Sequence, residues 1–134
     1  APLKAGAAEL LDALDRLALP RAIATSSGHH SVRRHLEPAG LYDRFDVVVA
    51  AGDYARGKPE PDPFLAAAAR LLVAPADCLA LEDSHNGVRA AHAAGMMTVM
   101  VPDLLPATDE IIALCAAVAP SLHDVRLMLE DGEA

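Results

Sequence analysis

The chain has no tryptophan, and aromatic residues make up 3% of its 134 positions. A core must therefore be built from Ala, Leu and Val, side chains that let helices pack closely on a sheet. Cysteine is scarce as well. Cys78 and Cys115 sit in apolar surroundings without the spacing of a metal site, and read as small core residues of a reduced, cytoplasmic protein. No apolar run approaches the ~20 residues of a membrane-spanning helix, and no signal-peptide pattern occurs. Positive charge is in short supply: 11 Lys and Arg against 19 Asp and Glu leave a formal net charge of −8. That balance argues against nucleic acid or an anionic membrane surface as a partner. Repeats, low-complexity tracts and long linkers are lacking too. So is an initiator Met, since the sequence opens Ala1-Pro2-Leu3-Lys4 as though cut from something longer.

What is present is 53% hydrophobic, enough for one globular domain. Leu10, Leu11, Leu14 and Leu17 form a helical stripe within Gly6 to Leu19, stopped by Pro20. Arg21 to Ala24 is a short apolar strand, followed by a helix from His29 to about Ala39 with Gly40 as its C-cap. Asp46 to Ala50 is a continuous β-branched strand, and Phe64 to Leu72 an Ala-rich helix. Cys78 to Leu81 is a third strand, with a helix from Ser84 to Ala94 ending at Gly95. Met97 to Val101 is a fourth strand. A short helix over Ala107 to Leu114, an edge strand at Ala116 to Ala119 and a closing helix from Leu122 to Leu129 complete the reading. This alternation predicts a doubly wound, mostly parallel α/β sheet covered on both faces.

Three strand ends carry polar chemistry. Thr25-Ser26-Ser27-Gly28 places hydroxyls and a glycine at a strand-to-helix junction, where backbone N–H groups can meet an anion. A plain N-cap is the simpler use of the same residues. Gly57-Lys58-Pro59-Glu60-Pro61-Asp62-Pro63 has prolines at alternate positions, which predicts a rigid, extended loop able to aim Lys58 at a phosphate. Otherwise Lys58 is a surface residue in a Pro-rich turn. Glu82-Asp83 ends the third strand, where two carboxylates can share a divalent cation; a solvated acidic turn, with Ser84 or Asp83 capping the next helix, is the alternative. Gly87, in that helix's first turn, allows close approach of a ligand or the sheet.

Taken in order, Thr25-Ser26-Ser27, Gly57-Lys58-Pro59-Glu60-Pro61-Asp62 and Glu82-Asp83-Ser84-His85-Asn86-Gly87 resemble the second, third and fourth motifs of the haloacid dehalogenase-like superfamily. The closest likeness is to its phosphatase and β-phosphoglucomutase-like branch, from about Gly6 to Pro102, including Ala94-Gly95-Met96. The resemblance implies a Rossmann-like core and a Mg2+-dependent phosphohydrolase acting on a small phosphorylated metabolite, such as a sugar phosphate, through an aspartyl-phosphate. By the same resemblance the Thr25 hydroxyl and the Ser26 N–H bind the transferring phosphoryl group, and Lys58 neutralises it. Glu82 and Asp83 hold Mg2+, with Asp83 the direct ligand. Ser84 supports the metal from behind, and Asp62 orients Lys58.

The family's first motif, Asp-x-Asp on a leading strand, does not occur here; Asp12 and Asp15 lie mid-helix and cannot replace it. Nor is there a cap domain. Residues 1–134 are thus expected to be the carboxyl-terminal part of such a core, inactive alone, with the N-terminal segment that carries the central nucleophile strand and the nucleophilic Asp absent from this sequence, removed, or supplied by another segment. A phosphosugar mutase or a non-catalytic phosphate-binding module are the alternatives. A receiver domain, which gathers similar groups, has them in another order. His29, His30, His35, His85 and His92 show no zinc-site spacing and read as surface or cap residues, with His29 or His85 placed to touch substrate.

Overall fold

A computed structural model describes residues 5–103 and 105–133. In chain order the elements are α1 (Ala7–Arg16), β1 (Ala22–Ala24), α2 (His29–Leu36), β2 (Val47–Val49), α3 (Asp62–Leu71), β3 (Leu79–Glu82), α4 (His85–Ala93), β4 (Met97–Met100), α5 (Asp109–Leu114), β5 (Ala117–Val118) and α6 (Leu122–Glu133). Single 3-10 turns at Tyr42–Arg44 and Pro75–Asp77 lead into β2 and β3. Among the described residues every strand pairing is parallel, as the alternation of elements predicts.

The strands form two sets, β1-β2 and β3-β4-β5. Among the described residues β1 and β3 make no ladder with each other. Between them runs a cleft of about 650 Å3, lined by Ala22, Ile23 and Ala24 of β1 and Leu79 to Glu82 of β3, with Leu10, Leu14, Phe64 and Ala67 from the flanking helices. The pairings give the direction of the free groups. Thr25 N–H bonds Val49 O and Asp46 N–H bonds Arg21 O, so the odd residues of β1 serve β2. By alternation Ala22 and Ala24 turn to the cleft. Likewise Cys78 O and Glu82 O accept from Met97 and Val101, turning Leu79 and Leu81 to the cleft.

Helices cover both faces. On β4, Val99 packs with Leu10 of α1 and Val125 of α6, whereas Met100 packs with Val88 of α4 and Ile111 of α5. On β3, Ala80 lies with Phe64, Ala68, Ala90 and Ala91, and Leu81 faces the α1–α6 side. Successive strand residues pointing to opposite layers are what a two-sided sheet demands. The scarcity of aromatics has its consequence here, because α4 packs on β3 through Ala90 and Ala91.

Several element ends differ from expectation for local reasons. α1 stops at Arg16 because Ala18 adopts a left-handed conformation (φ 55°) before Pro20 is reached. α2 ends at Leu36, just ahead of Pro38, which has no N–H to extend the ladder. α3 starts two residues early, at Asp62, with Pro61 already helical (φ −75°, ψ −7°). The loop before it is therefore not extended. The Lys58–Pro59 peptide is cis, and Glu60 N–H closes a turn on Gly57 O at 3.0 Å. Among the described residues no helix is long and apolar enough to cross a membrane.

Candidate active site

The carboxyl ends of β1 and β3 face each other across the cleft, and a pocket of about 290 Å3 opens there, bounded by Ala24, Thr25, Lys58, Leu81, Glu82, Asp83, Val101 and Leu122. Thr25, Lys58, Glu82 and Asp83, which lie up to 58 residues apart in sequence, are thus brought to one place. This is where an open α/β sheet holds its ligands. Ser26, Ser84 and Asp62 do not line the pocket.

The hydroxyl loop is built by backbone pairing. Thr25 continues the β1 ladder by one bond, its N–H meeting Val49 O at 2.9 Å. Thr25 Oγ1 then accepts the Ser27 N–H at 3.1 Å, a side-chain turn that leaves the hydroxyl hydrogen able to donate outward. Gly28 caps α2 with extended backbone and no side-chain cap, and Ser26 is exposed beside it.

Lys58 spans the cleft mouth. Its Nζ donates to Ala24 O at 3.0 Å on β1 and pairs with the Glu82 carboxylate at the end of β3. The ammonium also lies 5.0 Å from the Phe64 ring centroid, an attractive cation–π contact. The Lys58 and Glu82 side chains are only 16% and 9% exposed, so the pair is largely removed from water. Asp62 does not reach Lys58. It accepts the Arg56 N–H at 3.2 Å and lies 3.5 Å from the Arg56 guanidinium, fixing the start of the lysine loop instead.

Ser84 caps α4, its Oγ accepting the Gly87 N–H at 3.0 Å while lying 3.4 Å from Glu82 Oε1. Ser84 thus caps the helix, one of the uses considered for it, and stands beside the Glu82 carboxylate. Gly87 permits the approach of the Glu82 side chain: a Cβ there would lie 2.0 Å from Glu82 Oε1. Among the described residues no three His, Cys, Asp or Glu side chains converge as a metal centre. Glu82 and Asp83 at the pocket rim offer carboxylate oxygens only. That donor set fits Mg2+, which takes one or two carboxylates and fills its octahedron with water and phosphate oxygens.

Sequence reasoning missed Asp53. Its Oδ2 accepts the Ala50 N–H at 3.0 Å, meets His29 Nε2 at 2.5 Å and lies 3.6 Å from Arg70 Nη1. No spacing rule links positions 29 and 53; the only local signal was Gly-Asp after a strand. The Ala50 N–H, more than His29 and Arg70, holds the Asp53 carboxyl below its ordinary value of 3.8, against the opposing effect of burial. The stabilisation from this lowered acid is full above the unfolded value and is lost as pH falls through the folded one. The denaturation midpoints of the wild type and Asp53→Asn should therefore differ at pH 5 and converge below pH 3.8. A difference independent of pH down to 2 would contradict the assignment. His85, the other histidine considered for substrate contact, bonds Pro106 O at 3.0 Å through Nε2.

A family model described as haloacid dehalogenase-like hydrolase matches residues 1–95. The chain belongs to the haloacid dehalogenase-like hydrolase family. CbbY of Cupriavidus necator is 41% identical over 126 residues, which is 92% of this chain and 49% of that protein. A bifunctional riboflavin kinase/FMN phosphatase of Arabidopsis thaliana is 38% identical across 91% of this chain and 32% of its own length. The crystal structure of CbbY from Rhodobacter sphaeroides in complex with phosphate superposes with a TM-score of 0.84 at 30% identity, covering 92% of this chain and 56% of that one. This haloacid dehalogenase-like chain thus has the α/β fold of the family, and spans 32% to 56% of the length of these relatives.

Proposed function

We propose that these residues are the carboxyl-terminal part of the core of a Mg2+-dependent phosphohydrolase that acts on a small phosphorylated metabolite. The single observation that carries this reading is Lys58, a largely buried cation spanning the ends of β1 and β3 with Thr25, Glu82 and Asp83 beside it. An ammonium with a hydroxyl and backbone amides opposite it is a receptor for a phosphoryl group. The Thr25 hydroxyl and the Ser26 N–H bind the phosphoryl oxygens, and Lys58 offsets the charge that develops between donor and acceptor oxygens. Glu82 and Asp83 hold the cation, Asp83 directly, with Ser84 steadying Glu82. Mg2+ would supply further neutralisation of the phosphate.

The nucleophilic carboxylate is not among these residues. The reading assigns it to a further segment of the protein, whose strand would occupy the apolar cleft between β1 and β3 and pair with the groups that Ala22, Ala24, Leu79 and Leu81 turn to it. The phosphoryl group would pass to that carboxylate and then to water.

The test is phosphate release by the full-length protein from a panel of sugar phosphates and para-nitrophenyl phosphate, with Mg2+ and with excess EDTA. Release that falls at least tenfold with EDTA, and is not seen with residues 1–134 alone, is the expected result. Conversion of one sugar phosphate into its isomer without net release would make the enzyme a mutase. No turnover in any assay, with phosphate still bound, would leave a binding module.

A further inference from the structure

We propose that Asp53 and Tyr54 are positioning residues for the Thr25–Gly28 loop, setting the geometry in which its hydroxyl and amide groups meet a phosphoryl oxygen. The inference rests on the reading of that loop as the phosphate-binding element. The loop is weakly supported by its own packing. Gly28 has no side-chain cap and nothing within 4 Å of where a Cβ would stand, and Ser26 is exposed. Beyond the Thr25 N–H bond to Val49 O and the Ser27 N–H bond to Thr25 Oγ1, the turn after β2 holds it through three bonds. Ala51 N–H donates to Ser27 O at 2.8 Å, the Tyr54 hydroxyl donates to Thr25 O at 2.9 Å, and Asp53 Oδ2 meets His29 Nε2, at the first residue of α2.

That turn is itself anchored to stiff parts of the fold. Asp53 bonds Ala50 through both its N–H and its carboxylate, each at 3.0 Å. It lies 3.6 Å from Arg70 of α3, whose guanidinium also reaches Val48 O at 3.5 Å. Gly52 takes the left-handed conformation (φ 99°) that brings the chain round. The order of the loop is thereby fixed before any ligand arrives, so less conformational freedom is lost on binding. Support of this kind improves ground-state and transition-state binding alike, and its loss is read in KM more than in kcat.

The experiment uses the full-length protein, para-nitrophenyl phosphate as substrate and inorganic phosphate as inhibitor. Tyr54→Phe and Asp53→Asn should each raise KM and the phosphate inhibition constant by about three- to tenfold, the worth of one hydrogen bond, with kcat within about twofold. In the Thr25→Ala background Tyr54→Phe should add less than its effect in the wild type, because it acts through the same segment. Unchanged inhibition constants with a lowered melting temperature would show a merely structural role and overturn the proposal. So would fully multiplicative effects in the double variant. If Thr25→Ala itself leaves phosphate inhibition unchanged, the loop is not the phosphate receptor, and the proposal falls with that reading rather than alone.

Discussion

Lys58→Met in the full-length protein is expected to lower kcat/KM for a small phosphate ester by about 10²–10³-fold, the usual loss when one preorganised charge-stabilising donor is removed. Activity alone would not separate chemistry from structure, because Lys58 also holds the two strand sets at the cleft mouth through Ala24 O and Glu82. Truncation leaves the Glu82 carboxylate 9% exposed without its cation, which should destabilise the fold by about 3 kcal/mol, the lower end for a broken buried pair. A second variant makes the distinction. Lys58→Met/Glu82→Gln removes the orphaned charge, so its melting temperature should recover most of the way while activity stays lost. Arginine is not expected to rescue Lys58, since the larger planar guanidinium must fit between β1, Glu82 and the Phe64 ring. Full activity in Lys58→Met would remove the lysine from the mechanism.

The alternation of apolar runs and helical stripes made the fold class legible, and strand-end positions made most of the pocket legible. Thr25, Lys58, Glu82 and Asp83 each follow or end a strand or sit in a loop beyond one, and a parallel sheet sends all such ends to the same edge. Side-chain partners were less legible, because they depend on distances that sequence spacing does not encode. Asp62, close in sequence to Lys58, instead accepts the Arg56 N–H and lies beside the Arg56 guanidinium, partners that the motif does not name. Asp53 meets His29 only because β1 and β2 lie side by side in register, with Ala24 opposite Val49. The proline loop was misread for a related reason. Alternate prolines constrain φ but not ψ, and Pro61 takes the helical value that lets α3 start early.

Gly87 shows the same limit and gives the second large effect. The sequence marked it as a point of close approach to a ligand or the sheet; which side chain it meets, that of Glu82 at the end of β3, is visible only in the structure. In an open helix Gly→Ala is favourable by roughly 1 kcal/mol, so propensity alone predicts that Gly87→Ala stabilises α4. Packing reverses the sign. The added Cβ would stand 2.0 Å from Glu82 Oε1 and 2.1 Å from its Cδ, and these atoms are held by Lys58 and beside Ser84 rather than free to swing into water. Overpacking of this kind costs about 1–3 kcal/mol and should drive the carboxylate from Lys58, lowering kcat/KM of the full-length protein at least tenfold. Shortening the acid tests the cause. Glu82→Asp in the Gly87→Ala background withdraws the colliding carboxylate by one methylene, and should return the melting temperature toward the wild type although activity stays low. If the double variant is no more stable than Gly87→Ala, the clash is not with Glu82, and the glycine is needed for a reason other than the approach of that carboxylate.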